Sequence, residues 1–349
     1  MAEATLTIDL DAVVSNHRAL DAESGDGTET AVVVKANAYG LDIGHVAPRF
    51  AASGIRSFFV ATTEEAVSLT KSIGHGPKVY VFGGLLPQDQ KQFESASYIP
   101  LLNSVEQVKT YCAHPDQSEF GLQLDTGMNR LGLEADELRD ALNLLGDRRP
   151  DIVISHLACA DEPDHPLNAA QLTEFHRLTD GMNWRRSLAA TGGTLLGPAY
   201  HFDLTRPGIG LYGGAPFADA APVVTLDIPV IQTRTVVEGE SVGYGAAWIA
   251  DKTTKIATIS AGYADGLNRA MGRGEVRLFA GDTPCPLVGR VSMDLLTVDV
   301  SALDTVPTHL TLLNSTQKID DLAAAAGTIG YEFLTSLGAR YRRRYVGSE

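Results

Sequence analysis

Lys35 closes the apolar run Ala31-Val32-Val33-Val34 and leads into Ala36-Asn37-Ala38-Tyr39-Gly40. An amine whose stem starts in a dry setting loses support for its ammonium form, so its pKa falls and it can bond a carbonyl carbon. A surface lysine at a strand end fits the position alone as well, so both readings stay open at this point. Other reactive groups follow later apolar runs. Asp125 to Arg130 follow one, His156 ends another, Thr191-Gly192-Gly193 follow a third, and Arg206 lies in a fourth with Gly208 just beyond. The Gly-Gly step lets backbone amides approach an anion, and Gly208 can do the same. Taken singly, His156 also fits a packed core histidine and Arg206 a structural arginine. A lysine, an arginine pair, a histidine and a Gly-rich anion site at one mouth form a more specific set.

Such a mouth needs a parallel barrel, where reactive groups sit at the C-terminal ends of the strands and phosphate binds after strands seven and eight. Thr5–Ile8 reads as a short strand, with Asp9 or Asp11 capping a helix to about Ala22. The runs Ala31–Val34, Ser57–Ala61, Lys78–Phe82, Tyr98–Leu102, Gly121–Leu124, Asp151–Ser155, Ser187–Ala190 and Phe202–Gly213 are mostly continuous, as in strands buried on both faces. Helical stretches intervene, two with capped starts at Thr62-Thr63-Glu64-Glu65-Ala66 and Asn103-Ser104-Val105-Glu106. Alternation of this kind predicts an α/β fold, a (β/α)8 TIM barrel over residues 9–221. From Pro222 the pattern changes to strands without long helical spacers: VVTLDIPVIQTRTVV, TKIATISAG, EVRLFA, CPLVGRV and LLTVDVS. Residues 222–349 are therefore expected to form a mostly β domain with one late helix, about Ile319–Ala326.

The chain has 349 residues and a formal net charge of −15, which repels phosphate backbones and anionic membrane surfaces; nucleic acid and membrane are not expected partners. Cys112, Cys159 and Cys285 contain no CxxC pair, so neither a disulfide framework nor a structural metal site is expected. The N-terminus lacks a basic segment and an apolar segment, so no secretory signal is read and the cytoplasm is the expected compartment.

Ordered blocks spanning nearly the whole chain resemble the alanine racemases. They are Val33-Val34-Lys35-Ala36-Asn37-Ala38-Tyr39-Gly40, Asp125-Thr126-Gly127-Met128-Asn129-Arg130-Leu131-Gly132, Ser155-His156, Arg206-Pro207-Gly208-Ile209, Gly243-Tyr244-Gly245-Ala246, Gly262-Tyr263-Ala264-Asp265-Gly266 and Gly289-Arg290-Val291-Ser292-Met293-Asp294. The resemblance implies a pyridoxal 5'-phosphate enzyme that interconverts L- and D-alanine by two-base proton transfer, supplying D-alanine for peptidoglycan. It implies that the strand within residues 1–8 joins the β domain, and that a homodimer shares its active sites, Tyr244 reaching the other subunit's barrel. Lys35 then holds the cofactor and serves the D-alanine face, and Tyr244 serves the L-alanine face. His156 and Arg206 support the tyrosine, Arg206 facing the pyridine nitrogen. Arg130 and the Met293 N–H bind the substrate carboxylate. Tyr39, Thr191, Gly208 and Ile209 match phosphate-binding positions, and Tyr263 guards the entrance.

The chain departs from the family pattern at several places. Gln123 stands where the family often has a carbamylated lysine that fixes the arginine matching Arg130. A chloride between Gln123 and Arg130, or direct acceptance by the Gln123 amide, would replace the missing charge. Ala190-Thr191 replaces an Asn-Ser pair, and Ser187 replaces a histidine partner of the pyridine-facing arginine. Arg342 stands where the family often has proline, and Ala339 where a phosphate-binding tyrosine often precedes that motif; Tyr341 and Tyr345 are the nearby substitutes. The alternatives are a broader or serine-preferring racemase of the same fold, a related decarboxylase, and a single-barrel cofactor carrier. The β-domain blocks bearing Tyr244 and Met293 argue against the last two.

Overall fold

The computed structural model describes residues 3–89, 93, 98–113, 119–273 and 275–347. The chain divides into two compact units, Val14–Leu211 with Pro216–Asp219, and Met1–Val13 with Tyr212–Ala215 and Ala220–Glu349. It opens with β1 (Thr5–Asp9), which pairs with later strands, and α1 (Leu10–Ser24). Asp9 caps α1 by accepting the N–H groups of Asp11 and Ala12, both at 2.9 Å.

The first unit is a parallel α/β barrel. β2 (Glu29–Thr30) and β3 (Val32–Val33) together make its first strand position. β3, β4 (Ser57–Val60), β5 (Lys78–Val81), β6 (Tyr98–Leu102), β7 (Gly121–Gln123), β8 (Ile152–Ile154) and β9 (Arg186–Ser187) follow in chain order in one sheet. β10 (Leu204–Thr205) closes the ring. Asp203 N–H donates to the Arg186 carbonyl at 3.1 Å and Arg206 N–H to that of Ala189 at 2.8 Å. On its other flank, Ala31 N–H reaches the Thr205 carbonyl at 2.9 Å and Val33 N–H that of Pro207 at 3.0 Å. The intervening helices are α2 (Ile43–Ala52), α3 (Thr63–Ile73), α4 (Val105–Cys112), α5 (Ala135–Leu145), α6 (Pro166–Thr179) and the short α7 (Thr191–Leu195). Thr62 and Ser104 cap α3 and α4, each accepting an N–H at 3.3 Å. Inside the barrel, Phe59 stacks on Tyr80 with ring centroids 4.5 Å apart.

The eighth run is a strand only at Leu204–Thr205 and not through Gly213. Pro207 has no N–H to continue a ladder, and Ile209–Tyr212 turns as a 3-10 helix.

The second unit is built on β11 (Val224–Val236). The β12 (Ser241–Val242) to β13 (Trp248–Ile249) hairpin follows, then β14 (Thr254–Ile259), β15 (Arg277–Ala280), β16 (Thr283–Val288), β17 (Leu296–Asp299) and β18 (His309–Leu313). The order β14-β17-β16-β15-β18-β11 closes because β14 also pairs with β11, giving an antiparallel barrel. β1 pairs antiparallel to β11 and parallel to β19 (Arg342–Val346). The late helical region holds two helices rather than one, α8 (Ile319–Ala326) and α9 (Gly330–Ser336). Gly327, at φ 71°, ends α8 in the left-handed region, and α9 is too short for an apolar period to reveal it. Among the described residues, no helix is long and apolar enough to cross a membrane.

Candidate active site

In the parallel sheet the C-terminal ends of the strands share one rim, so residues just after them converge. Lys35 leaves β3 at this rim. Ala36, Asn37, Ala38 and Tyr39 then take φ of 52–55°, a left-handed turn built without glycine. Such residues persist only where neighbours force them. Glu65, on α3, supplies that force. One carboxylate oxygen accepts Ala36 N–H at 2.6 Å and the other accepts Ala61 N–H at 2.8 Å. The Asn37 carboxamide oxygen accepts Ile43 N–H at 2.9 Å. Lys35 Nζ lies 5.9 Å from the Phe82 ring centroid. Burial pushes the Lys35 amine below the ordinary lysine value, the Arg130 charge adds to this, and the Glu65 carboxylate opposes it.

Arg206, 2% exposed, is the largest of the fully buried side chains. Its guanidinium donates to Ser187 Oγ, to the Ser155 carbonyl at 2.6 Å and to the Leu188 carbonyl at 3.5 Å, all neutral oxygens. Ser187 thus partners the arginine. Burial pushes the guanidinium down to about 9, which leaves it a cation at neutral pH. His156 is pushed down to about 3, by burial first and then by Arg206, Arg130 and Lys35, so its imidazole is neutral at pH 7. The barrel therefore places the neutral His156 in the field of Lys35, Arg130 and Arg206.

Thr191 begins α7, and its Oγ1 accepts the N–H groups of Gly208 at 3.0 Å and Gly210 at 3.2 Å. A Cβ on Gly208 would overlap the Tyr39 hydroxyl, so Tyr39 packs directly on this backbone. Ile209, buried, sits between the two glycines. Tyr39, Thr191, Gly208 and Ile209 are thus gathered in one place. An amine, a buried guanidinium with no carboxylate at its nitrogens among the described residues, and a tight glycine backbone fit a phosphate-bearing carbonyl cofactor.

Asp125 organises the next loop, one oxygen accepting Gly127 and Met128 N–H at 2.7 and 3.0 Å and the other Arg130 N–H at 3.2 Å. Arg130 is exposed in this single chain, whereas Gln123 is buried and donates to the Leu131 carbonyl at 3.1 Å.

The β unit carries the remaining candidates. Tyr244 stands at the tip of the β12–β13 hairpin, 70% exposed. The hairpin is anchored where Val242 and Trp248 pack with Val236, Ala250, Ile256 and Val288. Arg290 lies against Gly245, 3.0 Å from where a Cβ would stand. Met293 and Tyr263, 53% and 42% exposed, occupy adjoining loops. Tyr263 N–H donates to the Ser292 carbonyl at 3.0 Å and Ala264 N–H to that of Met293 at 2.9 Å. Tyr341 does not present its hydroxyl. The ring is buried, and burial raises its pKa. Tyr345 sits in β19 opposite Ile8. Sequence reasoning missed Tyr331, 39% exposed on α9, whose neighbours Thr328 and Glu332 line one pocket with Tyr263. The sequence around it, Thr-Ile-Gly-Tyr-Glu, left no signal beyond an isolated phenol after a glycine.

A family model for the alanine racemase N-terminal domain matches residues 8–216, and one for the C-terminal domain matches residues 223–345. The chain is 59% identical to the alanine racemase of Dinoroseobacter shibae, over 99% of both chains, and 54% identical to that of Ruegeria sp., again over 99% of both. Among solved structures it is similar to the alanine racemase of Bartonella henselae with covalently bound pyridoxal phosphate, at TM-score 0.92 and 34% identity, covering 99% of this chain and 100% of that one. It is likewise similar to the biosynthetic alanine racemase of Pseudomonas aeruginosa, at TM-score 0.92 and 35% identity with the same coverage. Barrel, β unit and sequence agree throughout their length, and the chain belongs to the alanine racemase family.

Proposed function

We propose that the chain interconverts L-alanine and D-alanine using pyridoxal phosphate, with Lys35 and Tyr244 as the two groups that exchange the Cα proton on opposite faces. The observation that carries this reading is Lys35: an amine held below its ordinary pKa by burial and by Arg130, at a barrel rim, with His156 in the field of Lys35, Arg130 and Arg206. Pyridoxal phosphate, when bound, withdraws electrons from the amino acid and loosens its Cα proton. The residues of this chain do the rest. Lys35 Nζ bonds the cofactor at rest and holds or returns a proton on the D-alanine side. Tyr244 Oη does the same on the L-alanine side, with neutral His156 beside Arg206 supporting it. Tyrosine's reference pKa of about 10 makes such support necessary at neutral pH. Arg206, a buried cation, would face the pyridine nitrogen, disfavour a proton there and so limit side reactions. Thr191, Gly208, Ile209 and Tyr39 hold the phosphate. Tyr331, 39% exposed, is a more accessible candidate for a phosphate tyrosine than the buried Tyr341. Arg130 and the Met293 N–H hold the substrate carboxylate, and Tyr263 controls entry.

The exposure of Tyr244 supports a head-to-tail homodimer in which each β unit completes the partner's barrel. The D-alanine formed in the cytoplasm is the isomer that peptidoglycan assembly consumes. Near Arg130, a chloride held by the second N–H of the Gln123 amide supplies the charge that a carbamate would give. Activity then needs no bicarbonate, and its loss on bicarbonate removal would count against this.

The direct test is D/L-alanine interconversion beside an absorbance scan of the bound cofactor, with serine and lysine as competitors. Lys35→Ala should lose the cofactor's covalent absorbance and nearly all activity. A borohydride-reducible adduct surviving in that variant would rule out the lysine assignment.

A further inference from the structure

Arg340 opens the arginine run near the C-terminus, and no step above uses it. Its Nε lies 3.0 Å from Asp265 Oδ1 and its Nη1 2.8 Å from Asp294 Oδ1. The two carboxylates come from different loops, one bearing Tyr263 and the other bearing Met293. Asp265 is buried, and its second oxygen accepts Gly262 N–H at 2.9 Å. Its main-chain carbonyl accepts Gly338 N–H at 3.0 Å, which ties the Arg340 segment to the same loop. The Tyr263 and Met293 loops touch backbone to backbone. A Cβ on Gly262 would overlap the carbonyls of Ser292 and Met293, so only glycine permits the approach. Asp294 is the residue directly after Met293, and the guanidinium is the contact that draws it toward Asp265. Without that cation two carboxylates are left facing each other. A guanidinium can hold one carboxylate on each of two edges at once, which the single ammonium of lysine does less well.

We propose that Arg340 is a positioning residue for racemisation: it clamps the Tyr263 and Met293 loops so that the Met293 N–H is fixed where the substrate carboxylate binds. The proposal rests on the assignment of Met293 as a carboxylate donor. Arg340 touches neither cofactor nor substrate, so its effect falls on substrate binding and leaves the barrel's cofactor chemistry alone.

The test uses the loaded enzyme carrying Arg340→Gln, Arg340→Lys or Asp294→Asn. In Arg340→Gln the KM for both alanine isomers should rise about fivefold, with kcat changed by less than about twofold, the scale of a partly exposed ion pair. Inhibition by propionate, a carboxylate without an amine, should weaken by the same factor. Amide hydrogen exchange across residues 290–295 should quicken, and the bound-cofactor absorbance should stay as in the wild type. Arg340→Lys should recover part of the loss. Should Arg340→Gln fail to fold, Asp294→Asn, which removes only the more exposed contact, must show the same rise in KM. Unchanged exchange across 290–295 overturns the clamp itself. Faster exchange with KM and propionate inhibition unchanged overturns the proposal through its premise, the role of Met293. A fall in thermal stability alone, with KM untouched, assigns Arg340 a purely structural role and likewise overturns it.

Discussion

Replacing Glu65 by glutamine removes one charge and swaps one carboxylate oxygen for an NH2 group, without changing side-chain length. In the native protein both oxygens are used, on Ala36 N–H at 2.6 Å and Ala61 N–H at 2.8 Å. The turn they hold has three residues other than asparagine at φ near 54°, costing about 1–2 kcal/mol each, so on the order of 3–6 kcal/mol must be overcome by such contacts. Glutamine can accept from only one of the two amides. An unpaired buried amide costs about 1–3 kcal/mol, and Ala36, being exposed, lies at the low end because water reaches it. Glu65→Gln should therefore lower the unfolding free energy by about 1–2 kcal/mol, read as a lower urea midpoint at unchanged slope. It also removes a charge that raises the Lys35 pKa. The amine form then persists to lower pH, and the pH profile of pyridoxal phosphate loading should move down. Glu64→Gln, a change at the exposed neighbour, is the control and should do neither. A Glu65→Gln protein with wild-type midpoint and wild-type loading profile would refute the idea that this carboxylate holds the lysine turn.

Thr191→Val keeps the shape but leaves the Gly208 and Gly210 amides unpaired in a buried site; chemical denaturation of the cofactor-free protein should show a loss of about 2–4 kcal/mol, and Thr191→Ser a much smaller one. His156 refuses a proton until about pH 3 when folded, whereas the unfolded residue takes one near 6.5. Between those values the unfolded chain binds more protons, so stability should rise from pH 3 to 6.5, and His156→Gln should flatten that slope in a pH series of melts. Tyr244→Phe should leave cofactor absorbance intact and slow Cα proton exchange from L-alanine by about 10²–10⁴, measured as deuterium uptake from solvent.

The rim position of Lys35 was legible because a buried parallel strand writes itself as an uninterrupted apolar run, while its reactive role came only from the resemblance. The left-handed turn that follows was not, since Ala36 and Ala38 carry no local signal for positive φ and are held by Glu65 from another helix. Arg206 was legible as a cation. Its neutral partner Ser187 was legible only through the resemblance, because a serine by itself says nothing of what it faces until β9 and β10 lie side by side. The β unit announced its strands through short runs broken by Gly, Asp and Pro, but α9 escaped notice, and Tyr331 with it. Arg340 read as one arginine among several. Its meaning lies in two carboxylates far away in the chain, which closure of the antiparallel barrel brings to it.

The central claim is that one active site takes its lysine from one subunit and its tyrosine from another. Lys35→Ala and Tyr244→Phe, each nearly inactive, should be mixed under conditions that exchange subunits, and alanine racemisation followed. Random pairing puts half the subunits into heterodimers with one intact site of two, so activity should recover to about a quarter of the wild type. No recovery, with exchange demonstrated by differently tagged chains, would contradict the shared site.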